Sequence, residues 1–580
     1  MSDGIDLELL RAKYRTERDR RIRPDGSAQY RAAAGEFGFY ADDPWTPRIE
    51  RETLHDRVDA IVIGGGFGGL LAGARLRRAG IDRIRTIEEA GDFGGTWYWN
   101  RYPGLHCDIE SYVYLPLLEE VGYVPKWRYA PGEEIRQHAM AIGRTFDLYR
   151  DACFQTRVTE MRWDEDATEW IVRTDRGDEM RAEYVVVTLG ALSKPKLPGI
   201  PGIENFRGHT FHTSRWDYGY TGDDLEKLAG KRVAVFGTGA TGVQVVPPLA
   251  EAAGHLYVFQ RTPSTVDVRD NRPTDEAWAA SLRPGWQRDR MENFLKSVTG
   301  VPVEQDLVGD GWTANSALHR RVLPGVTVLS DEQEELVDAH KMNRIRARVD
   351  TVVADPATAE KLKPWYRYIC KRPCFSDLYL QAFNRPTVTL VDTADSGGMP
   401  EIGTHTVAGY EIDCIIFATG YEAGVTDVMS GRMLIHGRDG VTLLDSWKAA
   451  GPRTLHGMTI PGFPNLFLMS FLHAVTASNF VHVLDEQARH IGAIVAEARS
   501  RAARYVEPAA DAADAWVATI AETAVDNYDF QLDCTPSFYN NEGHPVRSSL
   551  AAVQYGRGPI AFFDLLREWR STDGFAKVLH

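Results

Sequence analysis

Three glycines and one acidic residue are spaced as a dinucleotide-binding site requires. Gly64, Gly66 and Gly69 fit the pattern G-x-G-x-x-G directly after the apolar run 60–63. The first glycine permits a tight turn, the second lets a pyrophosphate approach the backbone, and the third lets a helix pack on the strand. Glu88 lies 24 positions after Gly64, where a carboxylate can accept hydrogen bonds from ribose hydroxyls. The alternative is a glycine-rich turn that binds no ligand. It does not explain why a strand, the glycines, a helix, a second strand and an acid follow one another at the spacing of a dinucleotide site.

A second unit of the same kind begins at residue 231. Gly237, Gly239 and Gly242 again fit G-x-G-x-x-G, and Arg261 stands 24 positions after Gly237, at the offset that Glu88 has in the first unit. An arginine there can pair with a 2′-phosphate through two hydrogen bonds, whereas a solvated surface arginine would have no reason to match this offset. The sequence therefore predicts an FAD site in the first unit and an NADPH site in the second.

A run of aromatic residues follows the first unit. Trp97, Tyr98 and Trp99 follow Gly94, Gly95 and Thr96. Aromatic side chains beside a dinucleotide fold can stack on a flat cofactor ring, although taken alone they are more typical of an aromatic core.

Hydrophobic periodicity indicates how these residues are positioned. We predict an α/β fold with two Rossmann-like dinucleotide-binding domains, for FAD and NADPH, and a helical insertion in the second. The predicted boundaries are an N-terminal extension at 1–57, the FAD-binding domain at 58–192, the NADPH-binding domain at 193–420 with its insertion at about 264–368, and a return to the FAD-binding domain with the C-terminal region at 421–580. Strands are predicted at 60–63, 84–87, 184–188, 233–236, 256–260, 387–392 and 412–419, and an amphipathic helix at 5–22, which we expect to wrap on the main body.

Composition limits the possible classes of function. The chain has 580 residues and a net charge of −15, so we expect no nucleic-acid partner and no membrane binding. Apolar runs stay below the roughly 18 residues of a membrane span, and residues 1–56 lack a signal sequence, which predicts a cytoplasmic protein. The six cysteines lack paired metal spacing, and we expect free thiols. His482, Glu486 and His490 have helical spacing, but we interpret them as an exposed polar face and predict no metal site.

Two longer patterns resemble the fingerprints of the type I Baeyer–Villiger monooxygenases, which are class B flavoprotein monooxygenases. One pattern, F-x-G-x-x-x-H-x-x-x-W, is met by Phe206, Gly208, His212 and Trp216. The other is met by Gly94, Gly95, Trp97, Tyr102, Pro103, Gly104 and Asp108. The resemblance spans about 58–569. The tail motif 534–543 and the long N-terminal extension resemble the subgroup near cyclopentadecanone monooxygenase, which accepts bulky or macrocyclic ketones.

The resemblance implies a reaction in which NADPH reduces FAD and one oxygen atom of O₂ is inserted beside a ketone carbonyl, giving an ester or lactone. By motif position Arg372 is the catalytic arginine and Asp108 its carboxylate partner. An arginine suits this role because it stays cationic and can stabilise negative charge on oxygen. The implied substrate is a bulky or cyclic ketone with O₂ as co-substrate; the oligomeric state is not predicted.

The resemblance also implies the cofactor contacts. Lys371, Arg261 and Thr262 are expected to hold the 2′-phosphate, and Phe538 stands where many members have a tryptophan that contacts NADP. His212 is expected to couple the domains, not to donate a proton. The remaining expected FAD contacts are Gly64, Gly66, Phe67, Gly69, Glu88, Gly95, Thr96, Trp97, Trp99, Asp108, Tyr114 and Val158, and the expected NADP contacts are Gly237, Thr238, Gly239, Ala240, Thr241, Gly242 and Gln244.

Two alternatives remain at this stage. A flavin-dependent N- or S-monooxygenase shares both nucleotide units, but such relatives usually lack the pair Arg372 and Asp108. A non-catalytic redox sensor would keep FAD and NADPH but would not need that pair. NADPH oxidation measured with and without a cyclic ketone distinguishes them.

Overall fold

The computed structural model describes residues 4–580 except 189, 191, 315–317, 319–320, 323–328, 399, 423–430, 548 and 550–552. The strands are β1 (Tyr30–Ala32), β2 (Arg57–Ile63), β3 (Ile84–Ile87), β4 (Val158–Asp164), β5 (Glu169–Thr174), β6 (Glu179–Val187), β7 (Lys196–Pro198), β8 (His209–His212), β9 (Arg232–Phe236), β10 (His255–Gln260), β11 (Val266–Asp267), β12 (Cys374–Phe375), β13 (Val388–Asp392), β14 (Thr406–Val407), β15 (Tyr410–Glu411), β16 (Cys414–Phe417), β17 (Leu434–His436) and β18 (Leu466–Leu468).

The α-helices are α1 (Leu7–Asp19), α2 (Phe67–Arg78), α3 (Thr96–Trp99), α4 (Ser111–Tyr114), α5 (Leu118–Val121), α6 (Gly132–Thr145), α7 (Tyr218–Thr221), α8 (Ala240–Ala252), α9 (Glu276–Ser281), α10 (Trp286–Val298), α11 (Asp331–Val352), α12 (Pro356–Leu362), α13 (Tyr379–Ala382), α14 (Leu443–Ala450), α15 (Phe480–Ser500), α16 (Ala510–Thr523), α17 (Tyr528–Asp533) and α18 (Gly558–Ser571).

The larger sheet contains seven strands within the described residues. Its order is β17-β4-β5-β6-β2-β3, and β18 pairs with β6. β2 is parallel to both β3 and β6, so that Ile63 lies opposite Ile87 on one side and Val187 on the other. This register brings the carboxyl ends of three strands to one edge, and each of them ends in a buried apolar residue. β2 buries Ala60, Ile61 and Val62 completely because helices and loops cover both faces of a parallel sheet.

The second sheet has five strands in the described part of the chain, in the order β13-β10-β9-β16-β8, and every pairing in it is parallel. Phe236 and Phe417 end adjacent strands at the same edge, and Phe259, opposite Phe236, lies one residue before the end of β10. The larger sheet is mixed, because β5 runs antiparallel to β4 and β6, whereas β2 is parallel to both of its neighbours. In each sheet a parallel strand, β2 or β9, is followed by a glycine turn and a helix, which confirms the predicted α/β class with two Rossmann-type units.

The predicted strands are found with small shifts at their ends. β3 has the predicted bounds, while β6 begins at Glu179 and β16 is limited to Cys414–Phe417. The region 264–368 is mainly helical where it is described, with α9 to α12, and also contains β11. The helix predicted at 5–22 is α1, which is shorter at both ends.

The N-terminal segment packs on the second sheet and on α11. Arg11 pairs with Glu335 at 2.7 Å, and Tyr14 is buried beside Arg346. Arg21 donates through Nε to the Arg261 carbonyl at 2.8 Å. The segment therefore reaches the end of β10, where the 2′-phosphate residues were predicted.

Two expectations from the sequence are wrong. Cys370 and Cys534 form a disulfide across 164 positions, whereas the other four cysteines are free and buried. Spacing along the chain could not show this pairing, because the fold brings the two Cα atoms to 5.1 Å.

The second error concerns α15. His482 and His490 are buried, not exposed, because α15 packs between α2 and α18; Arg75 of α2 pairs with Asp485 at 2.6 Å. Within the described residues no group of three or more His, Cys, Asp or Glu side chains is arranged to hold a metal ion. The helices described in this structure also include none that is long and apolar enough to cross a membrane.

Candidate active site and cofactor sites

The first glycine turn lies at the carboxyl edge of the larger sheet. Gly64 adopts a φ of +103°, and a Cβ on Gly69 would lie 1.8 Å from the Gly64 carbonyl oxygen, so both positions require glycine. Glu88 follows β3 and accepts hydrogen bonds from the backbone N–H groups of Gly65 and Ala90. Burial raises the pKa of Glu88 to about 7, against these two donors, which favour the ionised form. The strand, the turn, α2 and the acid are therefore placed as the FAD-binding pattern requires.

The second glycine turn repeats this geometry at the edge of the five-stranded sheet. Gly237 has a φ of +105°, and a Cβ on Gly242 would lie 2.2 Å from the Gly237 carbonyl oxygen. A Cβ on Gly239 would meet no atom within 4 Å, which leaves the backbone open to a close-lying ligand. Both turns line one cleft of about 1760 Å³, together with Thr238, Ala240 and Thr241.

Arg261 and Thr262 follow β10 in this cleft. The Thr262 hydroxyl is buried and has no hydrogen-bond partner within the described residues. Lys371 also lines the cleft, and burial lowers its pKa to about 8. One unsatisfied buried hydroxyl beside two cationic side chains is a donor set that fits a phosphate group.

Arg372 and Asp108 meet in the same cleft. The Arg372 guanidinium donates through Nη1 to Asp108 Oδ2 at 2.6 Å. Partial burial would lower the pKa of Arg372, but the Asp108 carboxylate outweighs this and raises it above its ordinary value. The Asp108 side chain is 4% exposed, whereas the Arg372 side chain is 39% exposed to the cleft. A cation at the cleft surface is thus held from behind by a buried anion.

Asp108 has a second cationic partner that the sequence reasoning missed. Arg269, two residues after β11, donates to Asp108 Oδ1, and its side chain is 9% exposed. The backbone carbonyl of Asp108 accepts from Trp312 Nε1 at 2.8 Å. No spacing rule links Arg269 to Asp108, because the two are 161 positions apart.

Gln244 takes part in this network. It was predicted at the NADP pyrophosphate, and its Nε2 donates to Asp108 Oδ1 at 3.2 Å and to the His106 carbonyl at 2.9 Å. Tyr102 donates to Gln244 Oε1 at 2.9 Å. The side-chain amide of Gln244 therefore joins α8, the helix that follows β9, to the segment that carries Asp108.

The aromatic residues after the first turn line the cleft beside it. Trp97 Nε1 donates to the Tyr114 hydroxyl at 3.0 Å, and Trp99 stacks under the Arg215 guanidinium at 3.8 Å. Thr96, Phe67 and Val158 line the same cleft, as does Gly95, where a Cβ would lie 2.7 Å from Gly66 Cα. These predicted positions therefore surround the first glycine turn.

The first fingerprint lies around β8. The Phe206 ring occupies the space that a Cβ on Gly208 would need, at 2.5 Å. His212 ends β8 opposite Phe417, and burial lowers its pKa to about 3, so it is neutral. Trp216 is fully buried and donates to Thr221 at 3.1 Å. These residues pack the second unit, and His212 is a neutral imidazole near neutral pH, not an imidazolium that could act as an acid.

A tail loop borders the other side of the cleft. We define it as residues 534–543, which include the one-turn segment Phe538–Gly543. The disulfide from Cys534 to Cys370 ties it to the segment that carries Lys371 and Arg372, and Ser537 Oγ donates to the Cys370 carbonyl at 3.0 Å. Phe538 lines the cleft with its side chain half exposed.

The sequence reasoning also missed the surroundings of Arg261. Glu542 of the tail loop accepts from Arg261 Nη2 at 2.7 Å, and Gln29 accepts from Arg261 Nη1 at 2.7 Å. Lys196 lies 3.9 Å from Glu542. The tail motif contains Glu542 and so offered a signal, but nothing in the motif pointed to Arg261.

Two sheets, each with a parallel strand that ends in a glycine turn opening into one cleft, define a flavoprotein oxidoreductase with two dinucleotide sites. Residues 58–283 match the pyridine nucleotide-disulphide oxidoreductase family. A Baeyer–Villiger monooxygenase from Streptomyces coelicolor is 57% identical over 578 residues, covering 97% of this chain and 95% of that protein. Neopentalenolactone D synthase from Streptomyces avermitilis is 51% identical and covers 99% of both chains.

Solved structures agree with this result. The polycyclic ketone monooxygenase of Thermothelomyces thermophila has a TM-score of 0.90 at 36% identity, covering 99% of this chain and 98% of that one. A steroid monooxygenase bound to NADP has a TM-score of 0.71 at 29% identity, covering 90% and 100%. The chain belongs to the Baeyer–Villiger monooxygenases. It is an FAD- and NADPH-dependent enzyme that inserts one oxygen atom of O₂ beside a ketone carbonyl.

Proposed function

We propose that Arg372 is the catalytic cation of this enzyme and that Asp108 holds it in place. The ion pair at 2.6 Å carries this proposal, since it lies in the one described cleft that both glycine turns line. When bound, FAD and NADPH supply hydride transfer and the activation of O₂. Arg372 then stabilises the negative charge that develops on oxygen, because its guanidinium stays cationic and faces the cleft.

Asp108 orients Arg372 and compensates its charge from the buried side. Gln244 and Arg269 fix Asp108 Oδ1, which leaves Oδ2 for Arg372. A carboxylate held at both oxygens cannot rotate freely, so the guanidinium keeps one direction toward the cleft.

We propose that the two glycine turns hold the two cofactors as the sequence predicts. The turn at Gly64 with Glu88 takes FAD, and the turn at Gly237 takes the NADPH pyrophosphate. Arg261, Thr262 and Lys371 hold the 2′-phosphate. The unpartnered Thr262 hydroxyl supports this assignment. The same reasoning assigns 58–192 and 421–580 to the FAD part and 193–420 to the NADPH part.

We propose bulky, cyclic ketones as substrates. Large apolar side chains line the same cleft as Arg372 and remain partly exposed: Ile369 by 64%, Phe538 by 51% and Phe471 by 40%. Exposed apolar surface inside a cleft is typical of a site for an apolar ligand. Two similar proteins are named for a product or a substrate: a neopentalenolactone D synthase and a polycyclic ketone monooxygenase. Both names support bulky, cyclic ketones as the substrate class.

We propose that the enzyme belongs to the subgroup near cyclopentadecanone monooxygenase, and the tail motif 534–543 supports this.

We also propose a cytoplasmic location, on the ground that cells supply NADPH in that compartment. The disulfide from Cys370 to Cys534 then has to survive reduction by being inaccessible, and Cys370 and Cys534 are both nearly fully buried.

A ketone panel tests the substrate class. Purified enzyme with FAD and NADPH is given small monocyclic, macrocyclic and polycyclic ketones, and each product is analysed by mass spectrometry. We expect products heavier by one oxygen atom, with kcat/KM highest for the large ring ketones. An open-chain sulfide serves as the comparison substrate. Faster turnover of the small ketones, or of the sulfide, would contradict the proposed class.

A further inference from the structure

Glu542 occupies the position where a coenzyme phosphate is proposed to bind. Its carboxylate is 3% exposed and accepts from Arg261 at 2.7 Å and from the Tyr30 hydroxyl at 3.1 Å. Lys196 lies 3.9 Å away and stacks on the Tyr30 ring at 3.7 Å. Arg261, one cation of the proposed phosphate subsite, is thus already paired with an anion from the protein itself.

The charge state of the Glu542 carboxylate is determined by its neighbours. Burial would raise the pKa of Glu542, but attraction to Arg261 and then to Lys196 outweighs burial and lowers it. Glu542 is therefore an anion near neutral pH. Burial of Lys371 and its repulsion by Arg261 both lower the pKa of Lys371, whereas Glu542 raises it.

The backbone of the tail loop holds Glu542 in an uncommon conformation. Asn541 and Glu542 both adopt positive φ, at 49° and 57°, and Gly543 follows at 93°. Left-handed residues other than glycine are uncommon and cost energy, so surrounding contacts must hold them. Among the contacts of Glu542, the ion pairs with Arg261 at 2.7 Å and with Lys196 at 3.9 Å involve full charges on both sides, and the pair with Arg261 is the shorter. The loop conformation and the filling of the subsite therefore depend on each other.

We propose that Glu542 is an intramolecular stand-in for the coenzyme 2′-phosphate, which NADPH must displace from Arg261 in order to bind. This inference rests on the proposed assignment of Arg261 to the 2′-phosphate. A phosphate and a carboxylate cannot share the guanidinium without repulsion, and a buried site strengthens that repulsion. Glu542 then sets the affinity for the phosphorylated coenzyme, because its release from Arg261 is part of every binding event.

The consequence for selectivity is specific. The competition between Glu542 and a ligand for Arg261 affects only ligands that carry a 2′-phosphate, since only these bind Arg261. Coenzymes without this phosphate leave Arg261 paired with Glu542. Glu542 therefore lowers the preference for NADPH over NADH relative to what the cations alone would give.

Binding of two adenosine nucleotides tests the proposal on the FAD-loaded enzyme. Isothermal titration calorimetry measures Kd for adenosine 2′,5′-bisphosphate and for AMP, which differ only in the 2′-phosphate. We expect Glu542→Gln to bind the bisphosphate roughly tenfold more tightly and AMP with little change. The factor corresponds to the loss of one hydrogen bond between charged groups, which the bisphosphate no longer has to break. The kcat/KM ratio of NADPH to NADH should rise by a similar factor.

Two further variants keep the test decisive. Glu542→Asp keeps the charge but shortens the side chain, so the bisphosphate should bind with intermediate affinity; it also replaces Glu542→Gln if that variant fails to fold. Glu335→Gln is the matched control, since Glu335 pairs with Arg11 at 2.7 Å but does not line the cleft. It should leave both affinities unchanged.

Failure of this inference is distinguishable from failure of the proposed function. If neither the wild type nor Glu542→Gln binds the bisphosphate more tightly than AMP, Arg261 does not hold a 2′-phosphate and both proposals fall. If the wild type prefers the bisphosphate but neither Glu542 variant binds it more tightly, only the role of Glu542 is overturned. Weaker binding by Glu542→Gln would show that Glu542 instead orients Arg261 for the phosphate.

Discussion

Arg372 donates to Asp108 across 2.6 Å, although the two residues are 264 positions apart in the chain. The pair brings a residue of the first glycine unit together with one that follows the helical region of the second. Asp108 is buried and Arg372 faces the cleft. We therefore propose different roles for them: Arg372 stabilises charge on the reacting oxygen, and Asp108 holds Arg372 in place.

Arg372→Ala should abolish most ester formation while FAD stays bound. Removal of one stabiliser of developing oxyanion charge costs roughly 10²–10³ in rate. Flavin reduction should survive in part, because hydride transfer does not need that charge to be stabilised. Gas chromatography of the product, beside stopped-flow reduction of the flavin, measures both. Arg385→Ala, which removes an exposed arginine paired with Glu251, is the control. Near wild-type ester yield in Arg372→Ala would place the active site elsewhere.

Arg269→Ala should lower kcat by about tenfold to a hundredfold without changing the KM for NADPH. The carboxylate of Asp108 would lose its charged partner at Oδ1, keeping only Gln244 there, and could rotate more freely. Small displacements of a catalytic group have effects of this size. Steady-state kinetics separate kcat from KM. Arg269→Lys should recover part of kcat, since it restores the charge but not the planar guanidinium. A rise in KM alone would mean that Arg269 contacts the coenzyme instead.

Arg261→Ala should raise the KM for NADPH by roughly tenfold or more and leave NADH nearly unaffected, because a charged hydrogen bond to the 2′-phosphate is lost. The variant also leaves the Glu542 carboxylate buried without its main partner. The double variant with Glu542→Gln should therefore melt at a higher temperature than Arg261→Ala alone. Equal kcat/KM for the two coenzymes in the wild type would contradict the assignment.

Affinity for NADPH should fall as the pH rises through about 8. The pKa of Lys371 is lowered to about 8, so the amine is cationic below this pH and neutral above it. The 2′-phosphate keeps its charge over this range, since its second pKa is about 6. The KM for NADPH, measured from about pH 7 to pH 9, should rise by up to tenfold per unit above the pKa. In Lys371→Gln the KM should be higher and independent of pH. The same slope in that variant would assign the titration to another group.

The disulfide should be detectable by thiol labelling. Alkylation of the denatured, unreduced protein should modify the four free cysteines, and prior reduction with a dithiol should expose Cys370 and Cys534 as well. Cys370→Ser, Cys534→Ser and the double variant should each lose about 2–5 kcal/mol of stability, and by the same amount, because they break one bond. Thermal unfolding with and without reductant measures this loss. Six labelled thiols without reductant, or additive losses, would rule the bond out.

The sequence by itself determined the two glycine units. Gly64 and Glu88 lie within one strand–helix–strand segment, so the tight turn and the position of the acid are consequences of local geometry. The same holds for Gly237 and Arg261. Short apolar runs were enough to place most strands within a few residues, since such runs are also a local property of the chain.

Tertiary structure alone decided which distant residues meet. Arg269 reaches Asp108 across 161 positions, Glu542 reaches Arg261 across 281, and Cys534 reaches Cys370 across 164. Such pairs depend on how the tail loop and the helical region fold back over the cleft, and no periodicity in the chain records that path. The exposed face predicted for His482 and His490 was wrong for the same reason, because polar spacing on α15 does not reveal that α2 and α18 cover it.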